Sequence, residues 1–165
     1  DLHLCDRRQR QMCIRDSGVH AFIVGEHGDS EVAVFSSANV SGIPLEQIYK
    51  LRGYEEYESH TKRIYEEVKN SAYEIIERKQ ATYYGIAMAI KRICECIVRD
   101  EHSVLPVSSL MHGQYGISDI VLSMPAVVDA GGVEQILPVS LDEEERARLH
   151  TSAKALRDVI ADIEL

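Results

Sequence analysis

Residues 18–30 read GVHAFIVGEHGDS, a short apolar run followed by a loop in which glycines flank a histidine. The run at 19–24 is rich in β-branched and aromatic residues and ends at Gly25, which is typical of a largely buried strand. The loop holds His27, and imidazole gives or takes a proton near neutral pH. Neighbouring glycines let a ligand approach closely, so His27 is a candidate proton-transfer residue. A turn histidine that caps a following helix is an equally good interpretation of this spacing.

Downstream of the loop the hydrophobic pattern predicts helices. The segment 31–38 is predicted to be a short helix that is closed by Ser-Gly-Ile-Pro at 41–44. Apolar residues at helical spacing predict a longer helix over 61–79. A break or bend is expected at 80–82, followed by a helix whose apolar stripe is Ile86, Ile90, Ile93 and Ile97.

After Asp100 the pattern changes to that of strands. Runs at 103–110, 117–128 and 133–139, linked by glycine-containing turns, predict a small antiparallel meander. The tetrapeptide Ser-Leu-Asp-Glu at 140–143 matches a capping box and predicts a last helix. The buried stripe of that helix is Leu149, Ala153, Leu156 and Ile160. The predicted fold class is α+β, with helices packed on a mostly antiparallel sheet.

Length and charge limit the kinds of partner. The chain has 165 residues and a formal net charge of −9, so it fits one or two small domains. An acidic chain lacks the basic patch that nucleic acid or an anionic membrane surface requires, so neither is expected as a partner. No apolar run reaches the roughly 18 residues of a membrane span. Four cysteines are too few for a disulfide scaffold and indicate reduced, cytoplasmic thiols.

Residues 1–17 differ from the rest of the chain. They carry a net charge of +1, which leaves −10 for residues 18–165, and they hold Cys5 and Cys13. They have neither strand alternation nor the apolar core of a signal peptide. The stretch resembles translated library-adapter sequence, so it is interpreted as an artefactual or disordered leader. A genuine basic tail is the alternative.

The sequence does not favour a metal site. His27 and Asp29 offer ligand atoms, with His20 or His60 as further candidates, but these residues lack a recognised metal-ligand spacing. Cys94 and Cys96 lie two apart on a predicted helix, so their thiols point to different sides. Cys94 is assigned to the buried stripe of that helix.

Several separated segments resemble one family, the bacterial L-lactate dehydrogenases. They are Val19–Ser30, Ser71–Ile76, Ala81–Ile86, Gly113–Gly116 and the last helix, all in collinear order from about Gly18 onward. Glu26 favours the lactate branch, since the related malate dehydrogenases usually replace it. The resemblance implies the α+β C-terminal substrate domain of such an enzyme. The chain contains no G-x-G-x-x-G unit, so the N-terminal Rossmann domain is taken to be absent. Gln80 departs from the usual glycine.

The same resemblance implies roles for five residues. His27 matches the proton donor and acceptor, Thr82 lines the substrate pocket, and Ile86 packs on the nicotinamide of NAD. His20 matches a residue that binds fructose 1,6-bisphosphate between subunits of allosteric members, and Tyr73 a possible phosphotyrosine. Pyruvate and (S)-lactate are the expected substrates, in a cytoplasmic homotetramer of glycolysis and pyruvate fermentation.

The family's orienting carboxylate, substrate arginines and specificity loop lie upstream of the matching segment and have no match in this chain. The chain is therefore predicted to be inactive alone, because an unoriented imidazole loses its fixed tautomer. Two alternatives stay open. One is a related 2-hydroxy acid dehydrogenase acting on malate or hydroxyisocaproate, and the other is a non-catalytic subunit-contact fragment.

Overall fold

Residues 18–163 are described by the structure, a computed structural model, so the predicted leader at 1–17 lies outside the described residues. The chain divides into two compact units. The described part of the first comprises residues 18–22 and Phe35–Met88, and that of the second comprises Ile23–Val34 and residues 89–163. Helices and strands occur in both, as the α+β fold class requires.

Six strands and four α-helices follow one another along the described chain. The strands are β1 (Val19–Val24), β2 (Val32–Val40), β3 (Ile43–Pro44), β4 (Ser103–His112), β5 (Ser118–Asp129) and β6 (Gly132–Ile136). The α-helices are α1 (Leu45–Leu51), α2 (Tyr57–Lys79), α3 (Tyr84–Arg99) and α4 (Glu143–Asp162). A 3₁₀ turn, Gln114–Gly116, joins β4 to β5.

The predicted helix at 31–38 is wrong, because residues 32–38 lie within strand β2. The strands β1, β2 and β3 form one sheet in that order, and β2 pairs with β3 in antiparallel register. Ser41 and Gly42 between them have φ of 51° and 86°, the left-handed pair that a tight hairpin turn requires. The Ser-Gly signal thus marks a hairpin turn, and the valines at 32, 34 and 40 follow strand periodicity.

The first unit has a small apolar core between its sheet and α1. Its buried members are Val19, Ala38, Val40, Leu45 and Tyr49. The Tyr49 ring meets that of Tyr57 edge to face at 5.2 Å between centroids. Contact between the buried Tyr49 ring and the partly buried Tyr57 ring holds the start of α2 against α1.

The two long helices and the break between them are confirmed. Helix α2 ends at Lys79, and Gln80 adopts the left-handed conformation with φ of 62° while its N–H bonds to Ile76 O at 2.6 Å. The apolar stripe is buried only in the first half of α2, at Ile64 and Val68. Helix α3 starts after four non-helical residues, 80–83, and the chain bends at Gln80, the position at which the resemblance leads us to expect glycine.

The predicted meander forms the sheet of the second unit. Its order is β4-β5-β6 with both pairs antiparallel, and β6 ends at Ile136, earlier than the predicted 139. The inner face of β5 buries Leu122, Met124 and Ala126. Assignment of Cys94 to a buried stripe is wrong: Cys94 is exposed, whereas Cys96 is buried and its thiol donates to Val128 O at 3.1 Å.

Helix α4 begins with a capping box two residues later than predicted. Its N-cap is Asp142, whose carboxylate accepts from Glu145 N at 2.8 Å while Asp142 N donates to the Glu145 carboxylate at 3.1 Å. The predicted stripe is buried at Leu149 and Ala153 and exposed at Ile160. Among residues 18–163, none of the helices is long and apolar enough to cross a membrane.

Candidate active site

The loop that carries His27 leaves the end of β1 and is tied back to the sheet of the second unit. Gly25 exchanges two backbone hydrogen bonds with Ser123 of β5, at 2.9 and 2.8 Å. Gly25 has φ of 97°, a left-handed conformation that residues with a Cβ rarely adopt. The chain therefore leaves the sheet at Gly25, directly before Glu26 and two residues before His27.

Gly25 also permits close contact with helix α4. A Cβ placed on Gly25 would lie 2.7 Å from Ser152 Oγ and 3.6 Å from Leu149 Cδ1. Both side chains are fully buried. Glycine at this position is therefore required twice, by the backbone conformation and by the space that the helix occupies.

Three polar side chains connect the two ends of the loop. Glu26 N donates to Ser152 Oγ at 2.7 Å, and the hydroxyls of Ser30 and Ser152 lie 3.2 Å apart. The carboxylate of Glu26 accepts from the hydroxyl of Ser30 and from its backbone N–H, the latter at 3.3 Å. A Cβ on Gly28 would collide with that carboxylate. The Glu26 side chain thus bonds to Ser30 across the loop that carries His27.

His27 itself is exposed. Within residues 18–163, no side chain or backbone group forms a hydrogen bond or ion pair with its imidazole. An accessible imidazole on a glycine-flanked loop at the end of a strand suits proton exchange with a small ligand. The backbone is held by its own unit, while the ring lacks an orienting partner among the described residues.

The predicted substrate and cofactor residues lie in the first unit. Thr82 is exposed in the non-helical segment between α2 and α3, and Ile86 lies in the first turn of α3 with 60% of its surface exposed. Met88 is exposed to 55% on the same helix. The rings of Tyr83 and Tyr84 contact each other in a tilted arrangement, with an interplanar angle of 56° and 4.6 Å between centroids. This segment therefore presents apolar side chains to solvent.

The remaining predicted site residues also belong to the first unit. His20 is the exposed second residue of β1, and Tyr73 is exposed to 55% on α2. His60, weighed as a metal ligand, packs 5.9 Å from the Tyr49 ring and lies 4.0 Å from the Glu56 carboxylate. His60 therefore lies beside the apolar core of the first unit.

Sequence reasoning missed a charged cluster in the second unit. His102 lies between two carboxylates, with Nδ1 3.2 Å from Glu134 Oε2 and Nε2 3.5 Å from Asp100 Oδ1. One ligand atom each of Asp100, His102 and Asp129 lies within 4.8 Å of the others. The hydrogen bond to Glu134 raises the pKa of His102, although its partial desolvation acts in the opposite direction. The cluster joins residues about 30 apart in sequence and has no local spacing signal.

Ser152 was missed as well, since a serine within a helical pattern carries no signal of its own. The fold alone brings it to the His27 loop. Comparison with known proteins then identifies that fold. Residues 9–164 match the family described as lactate/malate dehydrogenase, alpha/beta C-terminal domain. The chain belongs to this family.

Two relatives within the family are named L-lactate dehydrogenase. The L-lactate dehydrogenase of Acetivibrio thermocellus is 48% identical over 147 residues, which cover 89% of this chain and 46% of that protein. The L-lactate dehydrogenase of Moorella thermoacetica is 44% identical over 164 residues, covering 99% and 51%. The chain therefore spans about half the length of the curated lactate dehydrogenases it matches.

Solved structures agree with the assignment of the fold. The minor L-lactate dehydrogenase of Enterococcus mundtii in its ligands-bound form superposes with a TM-score of 0.92 at 39% identity, covering 99% of this chain and 52% of that chain. A lactate dehydrogenase from a Medee basin deep-sea metagenome library gives a TM-score of 0.92 at 39% identity, covering 97% and 51%. The predicted membership of the lactate dehydrogenase family and the α+β C-terminal domain are confirmed.

Proposed function

We propose that the chain is the C-terminal substrate domain of an NAD-dependent L-lactate dehydrogenase that interconverts pyruvate and (S)-lactate. The observation that carries the proposal is the His27 loop. Its backbone is fixed by Ser123 and Ser152, while the imidazole is exposed to a small ligand. The names of the relatives support the substrate, and Glu26 supports lactate over malate.

In this function His27 moves the proton. The imidazolium donates to the carbonyl oxygen of pyruvate during reduction, and the neutral imidazole accepts the hydroxyl proton of lactate during oxidation. The nicotinamide, when bound, supplies or accepts the hydride. Thr82 lines the substrate pocket. Because the ring of His27 has no partner among residues 18–163, we expect its orienting carboxylate to come from another part of the complete enzyme.

The residues present fit one part of NAD. Ile86 exposes 60% of its surface at the start of α3, and an apolar side chain suits the face of a nicotinamide ring. The chain contains no G-x-G-x-x-G loop for the pyrophosphate. We therefore assign Ile86 to the nicotinamide end of the cofactor and expect the N-terminal half of the complete enzyme to hold the rest.

Regulation and assembly are proposed from the resemblance. An exposed histidine such as His20, paired with its copy across a two-fold axis, suits the binding of a phosphate of fructose 1,6-bisphosphate. Such pairing requires a homo-oligomer, for which we propose a tetramer in the cytoplasm. Tyr73 is exposed as a phosphotyrosine site would be. For the boundaries we propose residues 18–165 as the domain and residues 1–17 as a disordered or artefactual leader, although the family match extends back to residue 9.

The decisive experiment restores the missing half. Residues 18–165 replace the aligned C-terminal region of the Acetivibrio thermocellus relative, and NADH oxidation is measured with pyruvate, oxaloacetate and 2-ketoisocaproate. We expect pyruvate to be the best substrate. The variant His27→Asn should lower kcat by about 10³-fold, within the range of general acid–base catalysis. The variant His150→Asn, an exposed histidine on α4, is the matched control and should retain full activity.

Two outcomes would contradict the proposal. A folded chimera that ignores all three 2-oxo acids, or whose His27→Asn variant keeps normal turnover, removes the assigned chemistry. Preference for oxaloacetate or 2-ketoisocaproate selects the related dehydrogenases. The 165-residue chain alone is expected to give no measurable oxidation of NADH by pyruvate, and ordinary turnover would refute the expected dependence on the N-terminal half.

A further inference from the structure

Ser152 holds the His27 loop from a distant part of the chain. It lies on α4, 126 residues after Glu26, and its side chain is fully buried. Serine hydroxyls inside helices commonly bond to the carbonyl of the preceding turn. Thr151, its neighbour on the same helix, does this with Ala147 O at 3.0 Å. The Ser152 hydroxyl instead accepts from Glu26 N at 2.7 Å.

The hydrogens of this site can be assigned to a closed ring. Glu26 N–H donates to Ser152 Oγ. The one proton of the Ser30 hydroxyl goes to the Glu26 carboxylate, because an ionised acceptor forms the stronger bond. The bond between the two hydroxyls, at 3.2 Å, therefore takes its proton from Ser152. The Glu26 N–H and the hydroxyls of Ser152 and Ser30 then each have an acceptor, and the last acceptor in the ring is the Glu26 carboxylate.

We propose that Ser152 is a positioning residue for catalysis: its buried hydroxyl fixes the backbone of Glu26 and so places His27. The catalytic consequence rests on the proposed function, whereas the loop contact rests on the geometry alone. His27 follows Glu26 directly and has no partner for its ring within residues 18–163. The position of His27 is therefore set by the backbone. The last fixed backbone N–H before His27 is that of Glu26, which donates to Ser152 Oγ.

The loop approaches Ser152 this closely only because Gly25 has no side chain. A Cβ there would meet Ser152 Oγ at 2.7 Å and Ser152 Cβ at 3.3 Å. The tight contact and the hydrogen bond are thus two consequences of one packing arrangement between the loop and α4. Truncating Ser152 leaves that packing space open and leaves the Glu26 N–H without its acceptor.

The test removes the hydroxyl with a matched control on the same helix. Ser152→Ala deletes the loop contact, whereas Thr151→Ala deletes a hydroxyl that bonds only within α4. Hydrogen exchange at the Glu26 amide is measured in the 165-residue chain, and kcat and KM for pyruvate are measured in the chimera. In Ser152→Ala we expect exchange to rise and kcat to fall, each by about tenfold, the size expected for a buried donor left unpaired. KM should stay within about twofold, since ground-state binding is retained.

The outcomes separate this inference from the proposed function. If Ser152→Ala matches Thr151→Ala in amide exchange and kcat while His27→Asn is inactive, the positioning role is refuted and the proposed function stands. If His27→Asn is fully active, the proposed function is refuted, and the exchange result still decides whether Ser152 holds the loop. Ser152→Cys keeps an acceptor atom at this position, although sulfur is larger than oxygen and is a weaker acceptor. It should give intermediate exchange and kcat, and it carries the test if Ser152→Ala fails to fold.

Discussion

Around His27, the loop is held by the Gly25–Ser123 backbone pair and by a fully buried serine hydroxyl, whereas every residue from 80 to 91 is exposed. Both stretches carry residues that we propose to act in the same reaction. The first presents one polar side chain from a fixed backbone. The second presents apolar side chains, among them Ile86, on helix α3 and the segment before it.

This difference separates two kinds of contribution. A fixed loop contributes to stability and to function together, because the packing that stabilises it also orients the reactive group. An exposed apolar side chain contributes little to stability, so its value lies in what it binds. Substitutions in the His27 loop should therefore lower both the free energy of unfolding and kcat. Substitutions in the exposed stretch should change binding and leave the free energy of unfolding nearly unchanged.

The largest effect on stability is expected at Gly25. Gly25→Ala forces a Cβ into a left-handed conformation and against Ser152 Oγ, so we expect a loss of about 3 kcal/mol in the free energy of unfolding. Chemical denaturation of the 165-residue chain measures this loss. In the chimera, kcat should fall with it, because the loop that carries His27 must move away from α4.

Gly42→Ala is the matched control for Gly25→Ala. Gly42 also has positive φ, 86°, but a Cβ there would meet no described atom within 4 Å. Only the backbone strain remains, so the loss should be about 1 kcal/mol with normal turnover. Equal losses at the two glycines would show that contact with Ser152 adds nothing, and the contrast between the loop and the exposed stretch would weaken.

Local sequence signals predicted some of these features and not others. Strand β1, the histidine loop and the break after Lys79 follow from apolar runs and glycines that act within a few residues. The position of residues 31–38 before Ser-Gly-Ile-Pro favours a helix, because such a tetrapeptide is typical of a helix end. Hydrogen bonding to β3 through a left-handed turn overrides that interpretation.

Long-range contacts account for what local patterns missed. Ser152 and Glu26 are 126 residues apart, and only the docking of α4 brings them together. His102 and Glu134 are likewise joined by the return of the β5–β6 hairpin. Cys96 is buried in place of Cys94 because the face of α3 that is covered depends on what packs against the helix, and the Cys96 thiol contacts Val128 O of β5.

A smaller effect, confined to function, is expected at Ile86. Ile86→Gln removes an apolar surface and keeps a good helix former, so the free energy of unfolding should change by less than about 0.5 kcal/mol. If the side chain contacts the nicotinamide, KM for NADH in the chimera should rise about tenfold, as expected for one lost apolar contact. Val98→Gln, on the same helix and 85% exposed, is the control and should leave KM unchanged. A large loss of stability in Ile86→Gln would contradict the division between the two stretches.

The smallest effect is expected at His102, which tests whether exposed charges hold a loop as buried hydroxyls do. Glu134 and Asp100 face its two ring nitrogens, Asp129 adds a third negative charge, and the pKa of His102 in the folded chain is raised above 6.5. A raised pKa means that the folded state binds the proton more tightly. The contribution to stability is therefore complete below about pH 6.5 and is lost as the pH rises through the folded pKa.

Denaturation of the 165-residue chain and of its His102→Gln variant at pH 5.5 and pH 9 measures this contribution. The unmodified chain should be the more stable at pH 5.5, and the difference should shrink at pH 9. Because the ring is half exposed, solvent screens the pairs, and the difference should also fall in 0.5 M salt. If the stability difference between the unmodified chain and His102→Gln grew with pH, the pKa of His102 would be lowered by folding and the prediction would be wrong. A difference as large as that of Gly25→Ala would mean that exposed ion pairs fix the chain as firmly as the buried hydroxyl beneath His27.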